Sequence, residues 1–147
     1  MPVIRITREF TFEMAHVLDF HDGPCRNVHG HSYRLLVTVS GTPLNDPGSP
    51  RDGMIIDFAD LKKIVEEKVI NTFDHALVVS KSFERRYNLL QGSFTNLVVL
   101  DFQPTCENLV AEFADRLKFN FPSGVHLHSL RLYETPKSYA EWFSSDN

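Results

Sequence analysis

Apolar and polar residues alternate along the first segment of the chain. The apolar side chains occupy even-numbered positions, namely Ile4, Ile6, Phe10, Phe12 and Met14, and the odd-numbered positions between them carry charged or hydroxyl groups. Because successive side chains of a strand point to opposite faces, this period of two predicts a half-buried strand over residues 3–16. Such alternation is typical of an antiparallel sheet with one face on a core.

A loop and a second strand follow. Residues 17–30 are rich in Asp, Gly, Pro and Asn, which predicts a loop. Alternation then resumes with Tyr33, Leu35, Val37 and Val39. Residues 41–53 contain several Pro, Gly and Asp residues and predict a turn-rich connection.

Two later segments have helical spacing. Asp57 is a predicted N-cap, and the apolar positions 58, 61, 65 and 69 form one stripe of a helix that ends near residue 71. Thr105 is the predicted N-cap of a second helix, whose stripe is formed by positions 109, 113 and 117. Between these helices we expect an irregular polar segment over residues 81–93 and a short strand over residues 97–100.

Two more strands, over residues 125–134 and 139–143, complete the prediction. The order β-β-α-(β)-α-β-β indicates one α+β domain over residues 1–147, in which two helices cover one face of an antiparallel sheet. If the second face is also apolar, one chain has little left to cover it, and self-association is the simple solution.

Composition excludes several classes of function. A chain of 147 residues with 42% hydrophobic residues suits a single folded domain. The net charge of −4 argues against general nucleic-acid binding. No stretch reaches the roughly 20 apolar residues of a membrane span, and residues 1–5 lack a signal-peptide core. The two cysteines do not form a disulfide framework, so we expect a reducing cytoplasm.

The strongest indication of chemistry is a cluster of Cys and His residues. His29 and His31 are two apart at the start of the second strand, so both imidazoles share one face, and His16 is in phase on the first strand. Three imidazoles with one open position are typical ligands of a catalytic zinc ion. Cys25 is a candidate for chemistry beside such a site, but it also suits a fourth, structural ligand or a small core residue.

Other polar residues are weaker candidates. In Asp74-His75, the carboxylate can orient the imidazole. Glu134 is in phase with the apolar residues 130 and 132, so its carboxylate needs a partner, which paired N–H donors of a ligand would supply. A second His-x-His pair, His126 and His128, has no evident third ligand nearby and we do not expect it to bind metal.

Taken together, these residues resemble a family, that of 6-pyruvoyl-tetrahydropterin synthase and its bacterial relative 6-carboxy-5,6,7,8-tetrahydropterin synthase. The matching segments occur in the family's order over nearly the whole chain. They are residues 12–16 (Phe-Glu-Met-Ala-His), Cys25, residues 29–33 (His-Gly-His-Ser-Tyr), 53–58 (Gly-Met-Ile-Ile-Asp-Phe), 74–75, 104–108 (Pro-Thr-Cys-Glu-Asn) and 133–135 (Tyr-Glu-Thr).

The resemblance implies the tunnelling fold, in which the sheets of neighbouring subunits of a homo-oligomer, such as a hexamer, form a barrel with sites between subunits. It implies that Zn²⁺ is held by His16, His29 and His31 and that Cys25 is the general base or acid. Asp74 and His75 would form its relay from a neighbouring subunit. Glu134 would anchor the pterin ring, with Thr105 and Glu107 near it. For Glu107, helix capping is an equal alternative.

The spacing of three residues between Cys25 and His29 resembles the bacterial 6-carboxy enzyme, on the route to 7-deazaguanine nucleosides such as queuosine. That resemblance implies a lyase that converts 7,8-dihydroneopterin triphosphate with release of triphosphate and acetaldehyde. A longer insert over residues 80–103 and the segment after Glu134 depart from the compact bacterial pattern. These departures leave the pyruvoyl synthase open as the activity. A non-catalytic zinc module, in which Cys25 and the three imidazoles close a structural site, is a separate alternative. Arg26, Arg34 and Lys137 are all candidates to bind the triphosphate.

Overall fold

A single six-stranded sheet organises the chain in a computed structural model, which describes residues 1–89, 92 and 94–147. The strands are β1 (Ile4–His16), β2 (His29–Gly41), β3 (Ala76–Ser80), β4 (Leu97–Leu100), β5 (His126–Thr135) and β6 (Ser138–Phe143). Their spatial order is β4-β3-β1-β2-β5-β6, so the two long strands β1 and β2 lie at its centre.

The predicted antiparallel sheet is present in four of these strands. β1 and β2 pair over their full length, from Ile4 opposite Gly41 to His16 opposite His29. β2 pairs antiparallel with β5, and β5 pairs antiparallel with β6. The period-two prediction for residues 3–16 is confirmed, because the even-numbered residues from position 10 onward are buried and the odd-numbered positions 11 and 13 are exposed.

The other edge of the sheet differs from the prediction. β3 was not predicted, and it lies parallel to both β1 and β4. All five of its residues are buried, so the period of two that reveals a half-buried strand is absent. β3 and β4 are joined through a helix, and such crossovers are what parallel pairing requires. The sheet is therefore mixed.

The main core lies between one face of the sheet and the two predicted helices. The first is α1 (Phe58–Val65), which continues without a break through a π-helical segment (Glu66–Ile70) into α2 (Asn71–Phe73). The second is α4 (Cys106–Leu117). Both predicted N-caps are confirmed, since Asp57 accepts from the N–H of Ala59 and Thr105 from that of Asn108. No helix in the described ranges is long and apolar enough to cross a membrane.

A further helix, α3 (Lys81–Tyr87), replaces the irregular segment predicted over residues 81–93. Residues 90, 91 and 93 lie outside the described part of the chain. The Phe83 side chain packs with Val17, Leu77 and Val79 in a small second core. Because buried residues alternate between faces along β3, this core covers the face of the sheet opposite to α1 and α4. The prediction failed here because α3 is short and mostly polar.

The same face of the antiparallel strands carries charged side chains. Glu9 and Arg34 form an ion pair at 3.2 Å, and the Arg34 guanidinium lies 4.0 Å from the centre of the Tyr133 ring. Arg131 pairs with Glu141 at 3.1 Å. This face is not an apolar surface that requires a cover, so the argument for self-association from an uncovered apolar face does not hold.

Candidate functional site

Three imidazoles meet at the end of the two central strands. His16 lies directly opposite His29 in the β1–β2 register, and His31 lies opposite Met14. Directly opposite residues of paired strands share a face, so pairing alone places the three side chains together. Their ligand nitrogens all lie within 4.8 Å of one another.

Hydrogen bonds determine which nitrogen of each ring faces its neighbours. His16 Nδ1–H donates to the carbonyl oxygen of Pro104 at 2.7 Å, and His29 Nδ1–H donates to that of Asn27 at 2.7 Å. In a neutral ring the other nitrogen, Nε2, then carries a lone pair. The two Nε2 atoms are 3.0 Å apart. Two lone pairs that face each other at this distance repel unless a cation or a proton lies beside them, so the donor set fits a metal ion.

Burial favours the neutral form of His16 and His31, because it lowers the pKa of both imidazoles. His16 is only 1% exposed. Burial lowers its pKa from 6.5 to about 4, with further lowering by His29 and His31, although the hydrogen bond to Pro104 opposes the shift. Burial also lowers the pKa of His31, against the opposing effect of the Glu134 carboxylate. Neutral imidazole is the form that binds metal, so the environment favours ligands over cations.

Glu134 lies nearer to the histidines than the sequence indicated. Its Oε1 is 3.5 Å from His16 Nε2 and 3.8 Å from His31 Nε2. The strand β5 places it there, since it follows the buried residues Leu130 and Leu132 on the same face. Its charge also helps burial to raise the pKa of Tyr33, whose hydroxyl is 3.5 Å from His16 Nδ1.

A cavity of about 360 Å³ opens beside Glu134. It brings together the three predicted substrate-binding residues, Thr105, Glu107 and Glu134. Glu107 enters it from the first turn of α4, and Thr105 enters it as the N-cap of that helix. Sequence reasoning missed the six other lining residues, which are Leu18, His21, Cys106, Ser138, Tyr139 and Ala140. The position of Cys106 between Thr105 and Glu107 was the available signal for one of them.

The Cys106 thiol lines this cavity but is held in its protonated form. Its Sγ–H donates to the carbonyl oxygen of Leu132 at 3.3 Å. Burial and the Glu134 carboxylate raise its pKa to about 11, so the thiolate is scarce at neutral pH.

Cys25 lies in the loop between β1 and β2. It is the central residue of a short 3-10 turn (Pro24–Arg26) and is half-buried. Its carbonyl oxygen accepts from the N–H of Leu18 at 3.0 Å, which closes the base of the loop. Among the described residues, the convergent ligand group contains the three histidines and not Cys25. The alternative of a four-ligand structural site therefore has no support from the geometry.

Asp74 and His75 form a pair at the end of the first helical run. His75 Nδ1 is 2.9 Å from Asp74 Oδ1, and the ring is 76% exposed. The backbone of His75 has φ of 61°, which is unfavourable for a residue with a Cβ. Two hydrogen bonds to the backbone of Glu13 hold this segment in place. The His75 N–H donates to Glu13 O, and the Asp74 carboxylate accepts from the Glu13 N–H. His75 and His31 line one cavity of about 340 Å³.

The three basic candidates for triphosphate binding are widely placed. Arg34 lies on the charged face of the sheet, where it pairs with Glu9. Arg26 follows Cys25 in the 3-10 turn, and Lys137 lies in the β5–β6 turn, next to the cavity residue Ser138. Arg34 shares β2 with His29 and His31 but lies on the opposite face of that strand.

The chain is similar to known proteins over most of its length. A family model described as 6-pyruvoyl tetrahydropterin synthase matches residues 5–144. The 6-carboxy-5,6,7,8-tetrahydropterin synthase of Haemophilus influenzae is 38% identical over 143 residues, which cover 95% of this chain and 99% of that one. The enzyme of the same name from Synechocystis is 36% identical over 140 residues, with 95% and 92% covered.

Solved structures with this fold cover nearly the whole chain. The 6-pyruvoyl tetrahydropterin synthase of Caenorhabditis elegans has a TM-score of 0.67 and 27% identity, and the match covers 98% of this chain and 97% of that one. A Wolinella succinogenes protein has a TM-score of 0.75 and 21% identity, with 98% and 99% covered. These similarities confirm the fold class that the motifs implied.

Proposed function

The chain belongs to the 6-pyruvoyl tetrahydropterin synthase family, and we propose that it is a zinc-dependent 6-carboxy-5,6,7,8-tetrahydropterin synthase. The observation that carries this proposal is the convergence of three imidazole nitrogens within 4.8 Å, next to a cavity lined by Thr105, Glu107 and Glu134. The relatives from Haemophilus influenzae and Synechocystis carry the 6-carboxy name and cover 95% of this chain. Residues 1–147 act as one domain in this proposal.

His16, His29 and His31 would hold the zinc ion, which as a Lewis acid lowers the pKa of hydroxyl groups in a bound substrate. The Nδ1 hydrogen bonds of His16 and His29 to backbone carbonyls support this role, because such contacts orient metal-binding rings. The position of Glu134 beside two of the rings supports a carboxylate that faces both the histidines and the substrate.

The remaining residues bind the substrate and move protons. Glu134 would accept from the N–H donors of the pterin ring of 7,8-dihydroneopterin triphosphate, with Thr105 and Glu107 as neighbours. Cys25 would transfer a proton at the substrate side chain. His75, oriented by the Asp74 carboxylate, would exchange that proton. Triphosphate then leaves, one water adds to the side-chain carbon that becomes the 6-carboxyl group, the carbon–carbon bond beside it breaks, and acetaldehyde is released. The chain would thus be a lyase in the queuosine precursor pathway.

We also propose that the chain acts as a homo-oligomer, such as a hexamer, with sites shared between subunits. His75 is 76% exposed, which suits a side chain that serves a neighbouring subunit. Ile4, Met54 and Phe58 are exposed apolar residues around one cavity of about 270 Å³, and such a patch is typical of an interface.

The thiols of Cys25 and Cys106 are both free, which supports a cytoplasmic location for the enzyme.

The pyruvoyl synthase is the main alternative, since a C. elegans protein of that name shares the fold. The two reactions differ in whether the side chain loses two carbons. Incubation of the purified zinc form with 7,8-dihydroneopterin triphosphate should release acetaldehyde and triphosphate in step, as read by an alcohol dehydrogenase assay and by product mass. Triphosphate released without acetaldehyde would show the pyruvoyl reaction. No reaction by a zinc-loaded protein would favour the non-catalytic zinc module.

A further inference from the structure

Asp19 is a buried carboxylate that the proposed mechanism does not use. Its side chain is only 3% exposed. Its Oδ2 accepts a hydrogen bond from the hydroxyl of Ser82 at 3.1 Å and forms a short ion pair with the guanidinium of Arg86. Both partners belong to α3, the unpredicted helix of the insert. A buried carboxylate is stable only with such partners, so this contact ties α3 to the loop that begins at residue 17.

The backbone of Asp19 is held as tightly as its side chain. Its N–H donates to Gln103 Oε1 at 3.0 Å, and its carbonyl oxygen accepts from Gln103 Nε2. Gln103 is followed by Pro104, whose carbonyl oxygen accepts from His16 Nδ1. The start of the loop is therefore connected to the same backbone segment that orients a metal-binding imidazole.

The contacts of Asp19 are linked to Cys25 through the neighbouring residue Leu18. Leu18 precedes Asp19, and its N–H donates to the carbonyl oxygen of Cys25 at 3.0 Å. On the other side of Asp19, Phe20 has φ of 64°, and its exposed ring lies 4.4 Å from the Arg86 guanidinium. A non-glycine residue keeps such a backbone conformation only where neighbouring contacts hold it. Arg86 thus contacts the Asp19 carboxylate and also the ring of Phe20, the residue with the unfavourable backbone conformation.

We propose that Arg86 and Asp19 are positioning residues, through which α3 holds the loop of residues 17–28 and so fixes the place of the Cys25 thiol. This inference rests on the proposed function for its catalytic consequence, but the positioning itself can be measured without substrate. Residues 17–28 contain one three-residue 3-10 turn and no strand. A loop of this kind depends on side-chain contacts for a defined conformation.

Arg86 is the residue to change because its side chain is 40% exposed, so its replacement leaves no cavity in the core. Arg86→Met removes both the ion pair and the stacking on Phe20. Arg86→Lys keeps the charge but lacks the planar fork that serves the carboxylate and the ring together. Arg85→Met is the matched control, since Arg85 is the neighbouring exposed Arg of the same helix.

Two measurements report on the loop alone. Hydrogen exchange of amides 18–27 should accelerate by about ten-fold or more in Arg86→Met, because a charge-assisted contact that resists local opening is lost. Alkylation of Cys25 by iodoacetamide, followed by peptide mass analysis, should also become faster. In Arg86→Lys, the exchange rate and the alkylation rate should both lie between the wild-type values and those of Arg86→Met. In Arg85→Met, both rates should equal the wild-type values.

Activity provides the third measurement. In Arg86→Met, kcat should fall by about ten- to hundred-fold, since misplacement of a reacting group by about 1 Å has that scale of effect. KM should change little, and zinc content should stay at the wild-type level. If Arg86→Met does not fold, the double variant Asp19→Asn, Arg86→Met removes the buried charge together with its partner and keeps the test available.

The outcomes separate this inference from the proposed function. A folded Arg86→Met or double variant with wild-type exchange and alkylation rates would overturn the positioning role, even if the wild type makes the expected product. A lower unfolding midpoint with no change confined to residues 18–27 would also overturn it, because the pair would then be only structural. Faster exchange and alkylation in a protein whose wild type does not convert the triphosphate would support positioning and refute the proposed function.

Discussion

Protonation of His16 should destabilise the metal-free protein as the pH falls. Burial lowers the pKa of His16 to about 4 in the folded chain, from 6.5. Since the unfolded chain binds this proton more readily, the contribution of His16 to stability is fully present above pH 6.5 and is lost progressively as the pH falls toward 4. At 1.36 kcal/mol per pKa unit, the loss amounts to about 2 kcal/mol between pH 7.5 and pH 5 and about 3 kcal/mol by pH 4.

The assay is urea unfolding of chelator-treated protein at pH 7.5 and pH 5, at one protein concentration. His16→Asn is the matched variant, because the amide of Asn can donate to the Pro104 carbonyl as His16 Nδ1 does, but it does not titrate. The free energy of unfolding of the wild type should fall by about 2 kcal/mol more than that of the variant between these pH values.

Equal pH dependence in the two proteins would refute the reasoning. It would mean that His16 takes up its proton in the folded chain at little cost, for example by sharing it with His29, whose Nε2 is 3.0 Å away. Zinc should make the contrast larger in the wild type, because protons and metal compete for the same imidazole lone pairs. The variant should gain less stability when zinc is added at pH 7.5.

Three further predictions concern the proposed metal and the proposed catalytic residues. The double variant His29→Ala, His31→Ala should lose its zinc, as measured by metal analysis, and full retention would place the metal elsewhere. Cys25→Ala should keep zinc and fold while turnover falls by about 10²–10⁴-fold, the usual contribution of a general base, and loss of metal would instead make Cys25 a ligand. If sites are shared between subunits, a mixture of inactive Cys25→Ala and inactive His75→Ala chains should regain partial activity, whereas no recovery after subunit exchange would indicate that each site is formed within one chain.

Strands with one buried face could be predicted from the sequence, because burial on one face leaves a period of two. This holds for β1, β2 and β5. The helix starts could also be predicted, because the side chains of the N-cap residues Asp57 and Thr105 accept hydrogen bonds from the first backbone N–H groups. β3 and α3 could not be predicted in this way. β3 is buried on both faces, and α3 depends on tertiary contacts through Phe83 and the Ser82 and Arg86 contacts to Asp19.

The histidine cluster was predictable because antiparallel pairing converts sequence phase into position. Residues in phase on two paired strands share a face, so the pattern of His16, His29 and His31 already placed three imidazoles together. The motifs also indicated the family and its candidate residues, Cys25 for catalysis and Glu134 for substrate binding, and these roles stay predictions.

The tertiary structure alone decided what surrounds that cluster. Pro104 orients His16 from 88 residues away in sequence, and Asp19 is held by Arg86 from 67 residues away. Local patterns describe which face a side chain takes on its own element, whereas these contacts depend on how separate elements pack, and no periodicity encodes that distance. The sequence therefore determined which side chains share a face of the sheet. The packing of separate elements decided the protonation state of these side chains and their hydrogen-bond partners.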